Sequence, residues 1–463
     1  MSFDYKQTDF EIKTEHQNES RFTFCGNTRF VILILGLCCI LCTNANLILM
    51  NFTVICMQDV IEEQSVHNHT HWLQRSYEIS LTFSSAAIGA IFGIIPAVAL
   101  ITSYGIRRTL TSYGLISAIA TLFMPLAVSY GLFFVLVVRL LQGIGASILY
   151  SSIGTISNKW SAAAGIGTYV AFLSSAFQIS NILTMPVSGL LCESSLGWRS
   201  IYYIFGSATV SVYLVFYVFY ADEPSNHKFV SKIELSRIQE GKLNVNNKKK
   251  GEYSAIFKNR EVFAITIAII GASAAVICLN NYGPIYLNKV LGLNIRETGY
   301  SNAIPYVFAA VVKFAAGPVT DKLAHISERM RLILFALLPQ LIMAIGFLVM
   351  SFTSNVIIAQ VAYTVSIVLA GLNVVGMVKS AQIVAGELID LIMAVISMSS
   401  WIAAFILPIV IGFVCPDNTH SQWSIFYLGV SLFVVLTNAP FPFMARVKYT
   451  KQTNRVSAIS EKV

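Results

Sequence analysis

Charge is what this chain has least of. Asp, Glu, Lys and Arg make up 12% of its 463 residues, about half the share of an ordinary soluble domain. Apolar residues make up 56%, and the mean hydropathy is +0.68. That balance excludes a soluble protein and predicts an all-α polytopic membrane protein with the lipid bilayer as partner. Acids and histidines are nearly absent from the apolar runs, and all seven His, at 16, 67, 69, 71, 227, 325 and 420, lie in loops or tails. The sequence has no His-Glu-x-x-His, no phosphate-cradling Gly-rich loop, no Gly-x-Ser-x-Gly and no Cys/His zinc spacing. Intramembrane catalysis would need polar groups at depth, so an enzyme is excluded, and neither metal nor cofactor is expected.

The cysteines are equally uninformative as ligands. Cys25, Cys38, Cys39, Cys42, Cys56 and Cys278 lie in or beside apolar runs and read as small apolar residues. Cys192 and Cys415 both fall near the outer face and form the one candidate disulfide. The net charge of +8 does not point to nucleic acid, because the basic residues gather in loops on one side of the membrane.

What is present is a series of apolar runs near the 20 residues needed to cross about 30 Å. They lie at about 30–56, 79–102, 110–129, 132–157, 165–192 and 201–220, then about 261–282, 298–316, 330–351, 355–377, 388–413 and 424–442. Twelve helices thus divide into a half at 30–220 and a half at 261–442. A basic linker at 221–260 joins them, with polar tails at 1–29 and 443–463. This is the outline of a two-half transporter. With both termini cytoplasmic, the outer loops hold only Arg75, Arg199, Lys289 and Arg296. The same orientation puts the glycosylation sequon Asn68-His69-Thr70 outside. No clear sorting motif separates a plasma-membrane from a lysosomal or endosomal protein.

One charge stands inside an apolar run. Arg139 opens Arg139-Leu140-Leu141-Gln142-Gly143, at a depth where a cation costs about 2.5–3.5 kcal/mol on insertion scales. Two roles are open to it: a structural tie to carbonyls or a neighbouring helix, or a cavity position offering its donors to a carboxylate or phosphate. Lys313, one turn before Gly317, reads as snorkelling to the interface.

The segment carries a resemblance. Arg139, Gln142, Gly143, Tyr150, Lys159, Trp160, Pro186, Gly189, Gly197, Trp198, Tyr202, Tyr203 and Gly206, in that order and spacing, resemble the major-facilitator family of organic-anion and phosphate carriers. The sodium–phosphate, sialin and vesicular glutamate transporters belong to that anion–cation symporter family. Pro224-Ser225-Asn226-His227 after the sixth helix adds to the likeness, and Gly317-Pro318-Val319-Thr320-Asp321-Lys322 after the eighth resembles the superfamily's gating signature.

The resemblance implies a major-facilitator fold, a cavity between the halves, and transport of a small anionic solute by rocking of the halves, with a coupling ion left open. It implies Arg139 as anion anchor, with Asn44, Asn46, Gln142, Tyr150, Asn280 and Tyr282 as polar walls. The run Asn280-Asn281-Tyr282-Gly283-Pro284 reads as a broken helix end. Asp321, Lys379, Glu387 and Asp390 are the gating candidates.

The departures matter too. The family's Arg-x-Asn on the first helix is Asn44-Ala45-Asn46 here, its Glu-Gly on the fourth is Ala146-Ser147, and Thr102 stands where the first gating Asp is expected. Two alternatives follow: a carrier of neutral or zwitterionic solutes, and a receptor-like protein that kept the fold without transport. With no titratable group at mid-membrane, transport is expected not to be obligatorily proton-coupled.

Overall fold

The structure, a computed structural model, describes residues 27–65, 71–162, 165–240, 260–322, 328–385 and 389–444. In chain order the long helices begin with α1 (Thr28–Thr53), the short α2 (Gln58–Ser65), α3 (Ser76–Tyr130), α4 (Leu132–Ala146) and α5 (Leu149–Trp160). α6 (Ile166–Ser174), α7 (Ala176–Glu193), α8 (Gly197–Phe219) and the short α9 (Lys232–Gln239) follow. The second half holds α10 (Arg260–Ile285), α11 (Ile295–Lys322), α12 (Glu328–Phe352), α13 (Val356–Ala385), α14 (Ile389–Val414) and α15 (His420–Asn438), with α16 (Phe441–Met444) after it.

Eight described stretches are long and apolar enough to cross a membrane. One of them, the 55-residue α3, turns back at Gly105, so it makes two passes. Gly105 has φ +79°, and a side chain there would strike the Asp222 carboxylate, so the turn requires glycine. With α11, α12 and α13 the chain makes twelve passes in two six-helix halves, an all-α polytopic membrane fold.

Several boundaries differ from the sequence reading. α4 with α5, and α6 with α7, each make one pass broken at a single turn. α10 does not end at Asn280–Pro284: it runs through Pro284 to Ile285, continues as a π-helical turn at Tyr286–Val290, and leaves the helix before Gly292 at φ +74°. A proline near a helix end can be carried when neighbouring helices support the freed carbonyl. α11 likewise extends through the Gly317–Lys322 signature rather than stopping before it.

A disulfide joins Cys56, after α1, to Cys192, at the end of α7. This corrects the expected Cys192–Cys415 pair: Cys415 is a buried free thiol. Cys56 lies in a run apolar enough to pass for core, and the pairing depends on α1 and α7 ending side by side. Beside it Asp59 accepts from Trp198 Nε1 at 2.9 Å and from Arg199 Nη1 at 2.6 Å.

At the opposite end, the segment after α8 folds back as a collar. Asp222 accepts the Arg107 backbone N–H at 3.1 Å, and Glu223 pairs with Lys159 at 2.9 Å. The His227 ring packs edge-on against Trp160. Thr28 donates to the Phe229 carbonyl, and Glu234 accepts the Arg29 N–H, both at 2.8 Å. The carboxylate missing at Thr102 is thus supplied to the same turn by Asp222.

Contacts between the halves gather toward the disulfide end. There Ser80 and Tyr282 share a hydroxyl–hydroxyl bond of 2.7 Å, and Asn51 donates to Asn281 Oδ1 at 3.2 Å and to the Asn280 carbonyl at 3.4 Å. Glu193 accepts the Arg296 N–H at 3.1 Å, and Ser84 donates to the Phe405 carbonyl at 2.8 Å. The first pass of α3 records the asymmetry. Nine of the eleven residues 80–90 are buried, against two of the fourteen residues 91–104. This pass is therefore closely packed toward the disulfide end and sparsely packed away from it.

Candidate functional site

The α3–α4 contact sets the position of Arg139. Gly143 lies so close to Ala86 that an added Cβ would sit 1.8 Å from the Ala86 carbonyl oxygen, and Gly89 meets the Leu140 carbonyl at 2.0 Å in the same way. Two glycines facing two backbones let the helices touch, as small residues do in membranes. Arg139, one turn before Gly143, then lies in the interior at 2% exposure. Its Nε donates to Thr82 O at 3.2 Å, and its Nη1 to Leu47 O at 2.8 Å and Gln142 Oε1 at 3.0 Å. Gln142 passes the chain on to Thr121 Oγ1 at 2.9 Å. These partners all belong to the first half, and they tie α1, both passes of α3, and α4 around one guanidinium.

The other predicted wall residues divide. Asn44 donates to Ser180 Oγ at 2.5 Å, joining α1 to α7. Asn46 is fully buried and bonds to Ser117 at 3.4 Å and Thr209 at 3.0 Å, which makes it a tie among α1, α3 and α8. The Asn280 side chain accepts from Tyr306 within the second half and only its carbonyl meets Asn51, whereas Tyr282 bonds to Ser80 across the halves near the disulfide end. Tyr150 is different: its side chain is 55% exposed, and its ring lies 5.1 Å from Phe177. One turn on, a Cβ on Gly154 would meet nothing within 4 Å, and Asn158 is exposed, so this face of α5 fronts open space.

Lys313 departs from its sequence reading. On α11 the large exposed apolar residues include Ile304, Val307, Phe308, Val311 and Phe314, which mark the lipid side. Asn302, Tyr306 and Ala309 are buried, and Lys313 continues their stripe at helical spacing. It faces inward and is half-buried, and its Nζ reaches Gln178 Oε1 on α7 at 3.4 Å. Distance from the helix end alone assigns Lys313 to the interface. The spacing of Asn302, Tyr306 and Lys313, at i, i+4 and i+11, was the signal for an interior face. Gln178 gave no signal of its own.

Of the gating candidates, Glu387 lies outside the described residues. Asp321, Lys379 and Asp390 have helical backbone but undescribed side chains. Asn68 also lies outside the described residues. Among the described residues no group of three or more His, Cys, Asp or Glu is placed to hold a metal ion.

A profile described as Major Facilitator Superfamily matches residues 33–386. The chain is 29% identical to rabbit (Oryctolagus cuniculus) sodium-dependent phosphate transport protein 1 over 246 residues, 52% of each chain. It spans about half the length of that relative. It is 22% identical to human (Homo sapiens) sialin over 332 residues, 70% of this chain and 67% of that one. It is 24% identical to a probable small intestine urate exporter of Mus musculus over 367 residues, 77% of this chain and 73% of that one. Among solved structures, a bacterial homolog of the human lysosomal transporter Spinster, inward-facing and unoccupied, aligns at a TM-score of 0.68. That alignment has 14% identity and covers 91% of this chain and 97% of the other. The xylose transporter XylE from E. coli, partially occluded and inward open, aligns at 0.67 with 16% identity, over 89% and 97%. These two likenesses bear on the fold.

Proposed function

The chain belongs to the Major Facilitator Superfamily, and on that premise we propose that it is a secondary transporter of small organic or inorganic anions working by alternating access. The observation that carries this reading is the charge balance of the interior. Arg139 and Lys313 stand inside the bundle, whereas every described Asp, Glu and His lies in a connection, a short helix, or the first or last turn of a long one. A core with cations and no described counter-carboxylate is positive, and a polar space walled by low-dielectric helices focuses that potential on an anionic solute.

Arg139 acts in this reading through its charge, since its named bonds go to carbonyls and to Gln142. The solute space lies between the halves, bordered by Tyr150 and Phe177 on one side and α11 on the other. Rocking of the halves would separate the Asn51–Asn281 and Ser80–Tyr282 contacts and close the far end. The Cys56–Cys192 bond supports placing its end of the bundle on the oxidising side, outside the cell or in an organelle lumen. Both termini are then cytoplasmic, in keeping with the distribution of Lys and Arg.

The test is uptake by liposomes holding the purified full chain, with labelled phosphate, urate, sialic acid, glutamate and acidic sugars. Saturable uptake of at least one anion is expected. Uptake of neutral or zwitterionic solutes alone would replace this reading with its alternative.

A further inference from the structure

Three features of Lys313 remain unaccounted for by packing. It lies on the interior stripe of α11, opposite the lipid-facing Ile304, Val307 and Val311. Its one named partner is an amide oxygen at 3.4 Å, the far edge of hydrogen-bond range, and an ammonium has three N–H donors to place. Among the described residues no salt bridge includes it. A cation held inside a membrane bundle ordinarily has a partner or a pathway.

Its depth and neighbours favour a pathway. Gln178 stands 12 residues from the start of α6 and 15 from the end of α7, about 18 Å and 22 Å along the helix axis. The ammonium therefore sits near the middle of the bundle. Phe177, next to Gln178 in the chain, stacks at a tilt on Tyr150, whose face borders open space. Lys313 belongs to the second half and Gln178 to the first, so their contact straddles the surface along which the halves separate. A solute bound there touches both halves and differs in its contacts between the two states, as any ligand that shifts such an equilibrium must.

We infer that Lys313 holds the anionic group of the transported solute, with Gln178 beside it and the Tyr150–Phe177 pair against its body, and that the solute is an organic monoanion with a planar body rather than inorganic phosphate. This rests on the anion-transport reading above. The chemistry sets the class. One ammonium and one amide can satisfy the two oxygens of a carboxylate-like group, whereas the four oxygens of phosphate call for more donors than these two groups place. Arg139, the guanidinium described inside the first half, has its named bonds within that half. Two aromatic faces give a planar apolar body its contact area.

The experiment uses the full chain in liposomes, with labelled urate, nicotinate, salicylate and inorganic phosphate as probes and gel filtration as the folding control. Uptake of at least one monoanion, and none of phosphate, is expected. Lys313→Met should raise its KM about ten- to a hundredfold, the worth of one charge-assisted hydrogen bond, while Lys313→Arg keeps part of the affinity. Gln178→Glu places a carboxylate against the ammonium and should raise KM by a similar factor. It decides the matter if Lys313→Met fails to fold. An unchanged KM in folded Lys313→Met, or in Gln178→Glu where that variant decides, overturns the role of Lys313 and leaves the anion reading standing. Phosphate uptake without monoanion uptake overturns the substrate class. Uptake of none of the four overturns the anion reading itself.

Discussion

Replacing Gly143 by alanine adds one methyl group at the closest approach of α3 and α4. The new Cβ would lie 1.8 Å from the Ala86 carbonyl oxygen, and ordinary contact begins near 3.4 Å, so the backbones must part locally by the difference, 1.6 Å. The facing Gly89–Leu140 contact loosens with it. Overpacking of this kind costs about 1–3 kcal/mol. The same separation pulls Thr82 away from Arg139 Nε, already at 3.2 Å, and losing that charge-assisted bond adds about 1.5–3 kcal/mol. The assay is the thermal midpoint of the purified protein in detergent, followed by fluorescence-detected gel filtration. At about 2–4 °C per kcal/mol for domains of 150–250 residues, the overpacking alone lowers the midpoint by about 2–12 °C. Gly154→Ala is the control, because its Cβ would enter open space. If both variants melt within a degree of the native chain, the helices are not held at the distance described, and the account of how Arg139 is positioned fails with it.

Further outcomes are expected. Cys56→Ser and Cys192→Ser should each lower the thermal midpoint, and the double variant no further, while Cys415→Ser leaves gel mobility under non-reducing conditions unchanged; an effect of Cys415→Ser on that mobility would contradict the Cys56–Cys192 pairing. Arg139→Lys keeps the charge but cannot reach Thr82 O, Leu47 O and Gln142 together, so thermal stability should fall more steeply than solute affinity rises or falls; intact stability with abolished uptake would instead make Arg139 the direct anion contact. Asn68→Gln should remove a glycosidase-sensitive mobility shift, and a shift that persists sinks the proposed topology. Uptake at zero membrane potential should not follow an imposed pH gradient, because no described acid or histidine lies at mid-bundle; accumulation abolished by a protonophore would defeat this, and Glu387→Gln and Asp390→Asn would be the next variants to make.

The sequence made the fold legible because a bilayer leaves few choices: apolar runs of the right length must be helices, and basic residues mark one side. The motif around Arg139 stood out for the same reason, since a cation one turn from a glycine in an apolar run has few uses. Partnerships were harder to read. Cys56 could not be told from Cys38 or Cys42 until α1 and α7 ended together. Asp222 lies 117 residues beyond the Gly105 turn that it braces. Tyr282 looked like a cavity wall because a tyrosine at a helix end offers a hydroxyl. That hydroxyl meets Ser80 only once the two halves are docked. Asn46 and Asn44 are two residues apart, so they point to different sides of α1, one to α3 and α8 and the other to α7.

The collar and the disulfide together have a mechanical meaning. α1 is fastened to its own half at both extremities: at Thr28 and Arg29 by the segment after α8, and just past Thr53 by the bond to α7. A helix clamped at its two ends cannot bend or slide alone as a swinging gate. Any change of access must carry α1 along as freight of the entire first half, and the joints that yield are those across the dividing surface. Two of these, Asn51–Asn281 and Ser80–Tyr282, are neutral hydrogen bonds, worth about 0.5–1.5 kcal/mol each. Such a latch is weak enough for thermal motion and a bound solute to release, and its partners can be rewetted once parted. The stiffness of each half and the softness of the seam between them are thus two sides of one division of labour.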